Sequence, residues 1–253
     1  MKTYDNKTSK YIRRLILEMS YKAKTAHIPS AISMCDYLGV LFEKTVSPQT
    51  HRFVLGKPFG AQTYYALFAY YGWASDNFFR YGSLDVEWRY IIQKDHPLIT
   101  YIDESMGNCL SVACGIALAR KKVFVNISDA AFQEGSIWES ILYAGAHNLS
   151  NLSMAVDNNN MQALGKISEI SDIGDVSIKL NDFGWEVFEC DGHDIDKLHE
   201  LCNMPRIMKS NKPKAFVFHT TKGQGVSFLE ENSLWHYSIL DEISLKKALK
   251  ELE

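Results

Sequence analysis

The sequence has 253 residues, of which 46% are hydrophobic, and a formal net charge of -3. This composition supports a substantial hydrophobic core and is unlike that of disordered, collagen-like or coiled-coil chains. Because the sequence has no long run of Lys or Arg, nucleic acid is not an expected partner. The polar start predicts no signal peptide, and the lack of an apolar run of about 18 residues predicts no membrane span. We therefore expect the protein in the cytoplasm.

The five cysteines form no C-x-x-C pair and are odd in number. Neither a disulfide framework nor a zinc site is expected from this pattern. We expect free thiols, buried or partly buried, in a reducing compartment, at Cys35, Cys109, Cys114, Cys190 and Cys202.

The first half of the chain shows mainly helical spacing of its apolar residues. This spacing predicts helices over residues 8–25, over 31–44 after Pro29, and over 61–72. Residues 107–120 predict a further helix, whose small side chains allow close packing against another backbone.

The second half alternates short apolar runs with helical stretches. Strands are predicted at 123–127, 152–156, 185–190 and 215–218, with a helix at 136–147 between the first two. The alternation predicts an α/β fold, a parallel sheet with helices on both faces. Because no Pro/Gly/Ser-rich linker interrupts the pattern, we expect one domain over residues 1–253 with a short C-terminal extension.

Polar residues follow two of the predicted strands. Asp129 ends one strand, and Asn159 lies just past the next one. Ligands of open α/β sheets bind at the carboxyl edge, where such residues meet if their strands are neighbours. A carboxylate, an amide oxygen and a backbone carbonyl together suit magnesium or calcium. The spacing alone equally fits ordinary loop caps.

The stretch 125–165, VNISDAAFQEGSIWESILYAGAHNLSNLSMAVDNNNMQALG, contains an ordered series of motif residues. They are Asp129, Glu134, Gly135, Trp138, Glu139, Asn151, Leu152, Asp157, Asn159 and Gln162. The series resembles the thiamine-diphosphate signature of transketolases, which has Gly-Asp-Gly after one strand, Glu-Gly and Trp-Glu-Ala at a helix start, then Asn-Leu and an Asp-x-Asn-x-x-Gln turn.

The resemblance implies thiamine diphosphate as cofactor. Asp129, Asn159 and the backbone carbonyl of Met161 would hold the Mg²⁺ (or Ca²⁺) that bridges its diphosphate. Glu134, with Glu139, would lie at a subunit interface, where such glutamates link paired catalytic sites. The alternative for both glutamates is an ordinary carboxylate favoured by the dipole at a helix N-terminus.

The resemblance extends over nearly the whole chain and includes three histidines. His27 lies in AHIPSAISMCDYL, His96 in HPLITYIDESMGNCL, and His236 ends HTTKGQGVSFLEENSLWH. By resemblance, His27 and His236 would face cofactor and donor substrate, and His96 the donor hydroxyls; a histidine pKa suits the proton transfers required. Met106 would offer its backbone to the aminopyrimidine ring, and Gly107 belongs to the same cofactor turn. No role is predicted for His51, His147, His193, His199 and His219.

Two residues depart from the family pattern. Ala130, a cofactor-binding position by resemblance, replaces the second glycine of Gly-Asp-Gly, which lets the backbone approach a phosphate. Phe59 replaces the histidine of Ser-Lys-Gly-His, and a phenyl ring cannot donate a hydrogen bond. Phe59 predicts a remodelled, less polar donor pocket and an enzyme of a specialised pathway, whereas Ala130 bears on cofactor affinity.

Full-length members of the family carry a second domain that activates the aminopyrimidine. We therefore expect this chain to be the N-terminal subunit of a split transketolase, which moves a two-carbon ketol or related acyl unit from a small-molecule donor to an acceptor. It would act only with a C-terminal transketolase-like subunit carrying the pyrimidine-binding domain, in a heterotetramer. Two alternatives stay open: a subunit of a 2-oxoacid dehydrogenase-like thiamine enzyme, and a non-catalytic regulatory subunit.

Overall fold

A parallel sheet forms the centre of the computed structural model, which describes residues 2–83, 89–92 and 96–253. Its strands are β1 (Arg52–Leu55), β2 (Tyr101–Ile102), β3 (Val123–Ser128), β4 (Leu152–Asn158), β5 (Glu186–Asp191) and β6 (Lys214–His219). They pair in the order β2-β1-β3-β4-β6-β5, and each pairing is parallel. The predicted parallel α/β fold is confirmed.

Helices surround this sheet. In the described part of the chain they are α1 (Asn6–Ala23), α2 (Ile28–Ser33), α3 (Cys35–Lys44), α4 (Ala61–Tyr70), α5 (Cys109–Leu118), α6 (Gly135–Ala146), α7 (Ile167–Ile170), α8 (Val176–Asp182), α9 (Ile195–Cys202), α10 (Pro205–Lys209) and α11 (Glu242–Glu251). Short 3₁₀ turns occupy Phe78–Arg80, Asp129–Gln133 and Ser233–His236.

Two hydrophobic cores lie on opposite faces of the sheet. In one core, the helices α1, α2, α3, α4, α9 and α11 pack against strand side chains such as Phe124 and Phe216. The other joins α5, α6 and α8 to strand side chains such as Val125 and Val217. Because successive side chains of a strand point to opposite faces, Phe124 and Val125 enter different cores. The sheet therefore has helices on both faces, as predicted.

Strand β3 is buried along nearly its whole length, as expected for a central strand of a parallel sheet. Its polar member, Asn126, has partners on the aromatic side of the sheet: it donates to the Tyr64 hydroxyl at 2.7 Å and accepts from the Tyr37 hydroxyl at 3.0 Å. These bonds satisfy a buried amide and connect α3 and α4 to the central strand.

Most predicted elements match observed ones within a few residues, but one prediction is wrong. The single helix predicted after Pro29 is two helices, because the backbone leaves the helical conformation at Met34, with φ -100° and ψ 3°. Strands β1 and β2 were not predicted, since runs of 4 and 2 residues are too short to show a period.

Two smaller expectations concern cysteines and membrane spans. The five cysteines are free thiols, four of them buried and Cys190 half-buried. Among the helices of the described ranges, none combines the length and apolar character that crossing a membrane requires.

Candidate functional site

Asp129 and Asn159 meet at the carboxyl edge of the sheet. Strands β3 and β4 are paired neighbours, with Ser128 opposite Asp157, so the residues that follow both strands emerge together. The fully buried Asp129 carboxylate accepts the backbone N–H of Ala130 at 2.8 Å and that of Asn160 at 2.5 Å. The structure thus brings together the two side chains that the strand pattern placed at one edge.

Met161, whose backbone carbonyl is the third predicted donor, lies beside Asn159. Its backbone N–H donates to Asn159 Oδ1 at 3.0 Å, and both residues are nearly buried. Within the described residues, no three His, Cys, Asp or Glu side chains cluster as a metal site. A cation here would depend on one carboxylate together with amide, carbonyl and ligand oxygens, the donor chemistry that suits Mg²⁺ or Ca²⁺.

Asp157 is a buried centre of contacts for which no role was predicted from the sequence. Its carboxylate pairs with the Lys57 ammonium and accepts hydrogen bonds from the hydroxyls of Ser33, at 2.8 Å, and Thr220. Burial alone would raise the pKa of Asp157, but Lys57 and the hydroxyl bonds hold it below its usual range. One carboxylate therefore joins α2 to the loops that follow β1 and β6, with β4 between them.

Burial also acts on Asp129, with the opposite result. Burial and the nearby Asp157 charge raise the pKa of Asp129 to about 7, against the opposing effect of Lys57. Within the described part of the chain no ion pair reaches Asp129, and Lys57 is bound to Asp157 instead. The Asp129 carboxylate is thus the group at this edge that a bound divalent cation would stabilise most.

A cavity of about 420 Å³ opens above this edge. Its lining includes the predicted residues His27, Met106, Ala130, Asn159, Met161 and His236, and also Ser30, Lys57, Phe59, Glu104, Gln162, Lys222 and Tyr237. The sequence signals for strand ends and for family motifs thus converge on one concave surface.

Lys222 is a second buried cation of the cavity. Only 2% of the residue is exposed, and its Nζ donates to the Gln162 carbonyl at 3.0 Å. Burial and the Lys57 charge lower the pKa of Lys222 to about 8. The two ammonium groups of Lys57 and Lys222 at the carboxyl edge of the sheet make this end of the cavity suitable for an anionic ligand. Lys222 lies in a stretch that resembles a family motif, but no role was predicted for it.

The turn containing Met106 and Gly107 is fixed by its neighbours. The Asp103 carboxylate accepts the N–H groups of Asn108, at 2.8 Å, and Cys109, at 2.9 Å, where α5 begins. Gly107 has φ +119°, and a Cβ there would approach the Ser136 hydroxyl to 2.8 Å. Gly107 is therefore required by both conformation and space, and the half-exposed Met106 stands at the cavity wall.

Ala130 causes no backbone strain. It lies in the 3₁₀ turn after β3 and is not among the residues with positive φ. The methyl group in place of the family glycine is therefore compatible with the backbone of the turn. Glu134 directly precedes α6 without a side-chain capping bond, and its side chain lies beside Gly107, where an added Cβ would contact Glu134 Cβ at 3.4 Å.

His27 and His236 form a pair of neutral imidazoles. Their ring centroids are 4.7 Å apart, and the Phe59 ring is 4.9 Å from His27. Burial and the Lys222 charge lower the pKa of His27 to about 4, and the same causes, with His27 and Lys57, lower that of His236 to about 3. Both rings are thus uncharged at neutral pH, where each offers one N–H donor and one nitrogen acceptor.

The structure does not bring His96 to this cavity. His96 is buried between α4 side chains, with the rings of Tyr65 and Phe68 both 5.9 Å away. It is not among the residues that line the cavity. The predicted contact between His96 and the donor hydroxyls therefore remains untested by this structure. His27 and His236, in contrast, both line the cavity.

Comparison with known proteins agrees with the motif evidence. Residues 109–252 match the family described as "Transketolase, thiamine diphosphate binding domain". The chain is 30% identical to a 6-deoxy-6-sulfo-D-fructose transketolase subunit of Clostridium sp. (strain MSTE9), covering 96% of this chain and 94% of the relative. It is 28% identical to an apulose-4-phosphate transketolase subunit of Phocaeicola vulgatus, covering 95% of this chain and 90% of the relative.

Solved transketolases share the fold. The enzyme of Campylobacter jejuni superposes with a TM-score of 0.86 at 22% identity, over 100% of this chain. That of Leishmania mexicana superposes with a TM-score of 0.87 at 21% identity, over 99% of this chain. This chain spans 43% of the first and 42% of the second, whereas it spans nearly the whole length of the subunit relatives.

Proposed function

Because the chain belongs to the transketolase family, through its thiamine diphosphate-binding domain, we propose that it is the diphosphate-binding subunit of a two-subunit transketolase. The carrying observation is the cavity itself, whose lining brings together Asn159, Met161, two buried lysines and the His27–His236 pair, with Asp129 buried beside the lining residue Ala130. In this proposal residues 1–253 form one cofactor-binding domain.

The residues present fit a metal-bound diphosphate. Asp129, Asn159 and the Met161 carbonyl would hold the divalent cation, since they offer hard oxygens around a carboxylate without its own counterion. Lys222 would balance part of the remaining phosphate charge, since Lys57 is already paired with Asp157. His236 Nδ1 gives independent support: it is buried and has no hydrogen-bond partner among the described residues, as expected of an atom reserved for a ligand.

Bound thiamine diphosphate would supply the carbon nucleophile and electron sink for two-carbon transfer. The protein then has to orient the ligand, exclude water and move protons. Met106 would position the cofactor ring from the wall of the cavity, and Gly107 would shape the turn that holds it. His27 and His236, being neutral, would hydrogen-bond substrate hydroxyls, with His27 Nδ1 fixed by its hydrogen bond to the Tyr90 hydroxyl.

The donor pocket is partly apolar. Phe59 and Tyr237 both line the cavity, and their rings are 4.9 and 5.6 Å from that of His27. The named relatives are subunits of an apulose-4-phosphate transketolase and of a 6-deoxy-6-sulfo-D-fructose transketolase. We therefore propose a donor that differs from an ordinary ketose phosphate, in a specialised pathway. A screen in which ordinary ketose phosphates outperform all other donors, and Phe59→His brings no further gain with them, would contradict this part.

A partner subunit is supported by an exposed apolar surface on α5 and α6, here called the α5–α6 face. It includes Leu118, Leu142 and Tyr143, with exposed fractions of 51%, 54% and 41%. Glu139 is exposed on the same helix. We propose that the α5–α6 face is buried in a heterotetramer with a subunit that carries the pyrimidine-binding domain. Leu142→Asp should then reduce assembly in sedimentation experiments, whereas Leu164→Asp, at an exposed loop position, should not.

The central experiment is calorimetric titration of thiamine diphosphate and Mg²⁺ into the chain mixed with its candidate partner. Asp129→Ala should abolish binding, and Asp182→Ala, at an exposed position of α8, should leave it unchanged. Binding that survives in Asp129→Ala would remove the proposed metal site. An absence of binding to the unmodified mixture would instead favour the non-catalytic regulatory alternative. Transfer of an acyl unit to a carrier, without ketol transfer, would favour the dehydrogenase-like one.

A further inference from the structure

Residues 220–225, here called the lysine segment, follow β6 and carry Lys222 into the cavity. Two side-chain bonds fix the segment on the cavity side. Thr220 Oγ1 donates to the Asp157 carboxylate, and Lys222 Nζ donates to the Gln162 carbonyl at 3.0 Å. Both bonds involve side chains of the segment, so its backbone groups have to find their partners elsewhere.

Two long-range contacts bind that backbone. The Thr221 N–H donates to His193 Nε2 at 3.0 Å, and the Gln224 carbonyl accepts from Arg13 Nε at 3.0 Å. His193 lies in the turn after β5, whereas Arg13 lies on α1, far away in sequence. Two backbone groups of the lysine segment are thus bound by side chains outside the cavity, alongside the bonds from the Gly223 N–H to the Pro29 carbonyl at 3.2 Å and from the Glu231 N–H to the Lys222 carbonyl at 2.9 Å.

Asp36 on α3 connects these two side chains. Its carboxylate, 1% exposed, forms a two-point pair with Arg13 at 2.5 and 3.0 Å and contacts His193 Nδ1 at 2.8 Å. Ser9, at 2.6 Å, and Tyr4, at 3.1 Å, also donate to it. Burial alone would raise the pKa of Asp36, but Arg13 and His193 hold it well below its usual range, so the group is a carboxylate.

The partners of His193 determine its proton position. An ionised Asp36 can only accept, so Nδ1 carries the proton; the Thr221 N–H can only donate, so Nε2 is unprotonated. Gly192 lets the two turns approach, because a Cβ there would lie 2.5 Å from Thr220 Cγ2. The imidazole is therefore a neutral bridge of fixed orientation between a buried carboxylate and the lysine segment.

We propose that His193, oriented by Asp36, is a positioning residue that holds the lysine segment and thereby sets Lys222 against the anionic end of the ligand. The inference rests on the proposed function, since Lys222 would face the cofactor diphosphate. No part of it requires His193 to touch ligand. It acts through the backbone of Thr221, whose neighbour is Lys222.

Two substitutions separate positioning from simple structural support. In His193→Asn, the amide can still donate to Asp36, but the shorter side chain no longer reaches Thr221. In His193→Gln, the longer side chain can reach the Thr221 N–H with its oxygen. His219→Asn is the control, because His219 is an exposed histidine directly before the lysine segment. Circular dichroism establishes that each variant is folded.

Amide hydrogen exchange of peptides covering residues 220–225 tests the contact without any ligand. We expect about tenfold faster exchange in His193→Asn, near-native exchange in His193→Gln and no change in His219→Asn. Exchange in His193→Asn equal to that of the unmodified chain would overturn the inference. If His193→Asn does not fold, imidazole ¹⁵N shifts of the unmodified chain decide: the proton must lie on Nδ1, and a proton on Nε2 overturns the inference.

Titration with inorganic pyrophosphate and Mg²⁺ tests the connection to Lys222. His193→Asn should weaken pyrophosphate binding about tenfold in the otherwise unmodified chain, but by less than about twofold in a chain that also carries Lys222→Met. Equal losses in both backgrounds would mean ordinary structural support and would refute positioning through Lys222. If the unmodified chain binds no pyrophosphate, the proposed cofactor site fails, while hydrogen exchange still decides the role of His193.

Discussion

His27 should make the folded chain sensitive to mild acid. Its pKa is lowered to about 4 in the folded state, whereas an unfolded histidine titrates near 6.5. Below pH 6.5 the unfolded chain therefore binds a proton that the folded chain does not. The contribution of His27 to stability is complete above pH 6.5 and is lost as the pH falls toward 4.

The size of this loss follows from the two pKa values. Each pH unit within the window costs about 1.4 kcal/mol, so pH 5 should cost about 2 kcal/mol relative to pH 7. His27→Asn removes the titrating group. Asparagine also suits this position, because His27 has φ +64°, a left-handed conformation that Asn adopts more readily than most residues.

The assay is urea unfolding of the unmodified chain and His27→Asn, without metal, between pH 5 and 7.5. The diagnostic quantity is the difference in the free energy of unfolding between the two chains, because other groups also titrate in this range. Asp129, whose pKa is raised to about 7, gains stability as the pH falls, and His51, with a pKa of about 4, loses it. A difference that changes by less than about 0.5 kcal/mol across the range would refute the desolvation of His27.

Two further predictions concern packing and a buried charge. Gly145→Ala places a Cβ 1.7 Å from the Phe183 carbonyl oxygen and should destabilise the fold by about 3 kcal/mol, whereas Gly115→Ala, with no neighbour within 4 Å, should be neutral or stabilising in thermal unfolding. Lys57→Met should lower the free energy of unfolding by about 3 kcal/mol, because Asp157 loses its buried counterion. Adding Asp157→Asn should recover most of that loss in urea titrations, and no recovery would contradict the charge argument.

The sequence predicts the sheet edge well because its signals are local. The apolar runs ending at Asp129 and before Asn159 reveal two strand ends, and neighbouring parallel strands must bring them together. The break at Met34 has no comparable signal, since the apolar spacing of α2 continues into α3. Strands β1 and β2 likewise carry too few residues for a pattern.

The remaining parts of the site depend on contacts between distant residues. Lys57 and Asp157 are 100 positions apart, and His193 and Asp36 are 157 apart, so neither pair can be seen as a motif. Family resemblance supplied the histidines, but it could not show that His96 lies among the rings of α4. Such pairings are determined by the packing of whole elements, which a single sequence does not display.

The α5–α6 face has a consequence for how a cell makes this protein. If the α5–α6 face is the proposed subunit interface, an unassembled copy exposes the apolar side chains of Leu118, Leu142 and Tyr143 to solvent. Such orphan copies would be the first to aggregate or to be degraded, so the supply of partner would limit how much of this chain accumulates. Synthesis of both subunits from neighbouring messages, in matched amounts, is the arrangement that this surface favours.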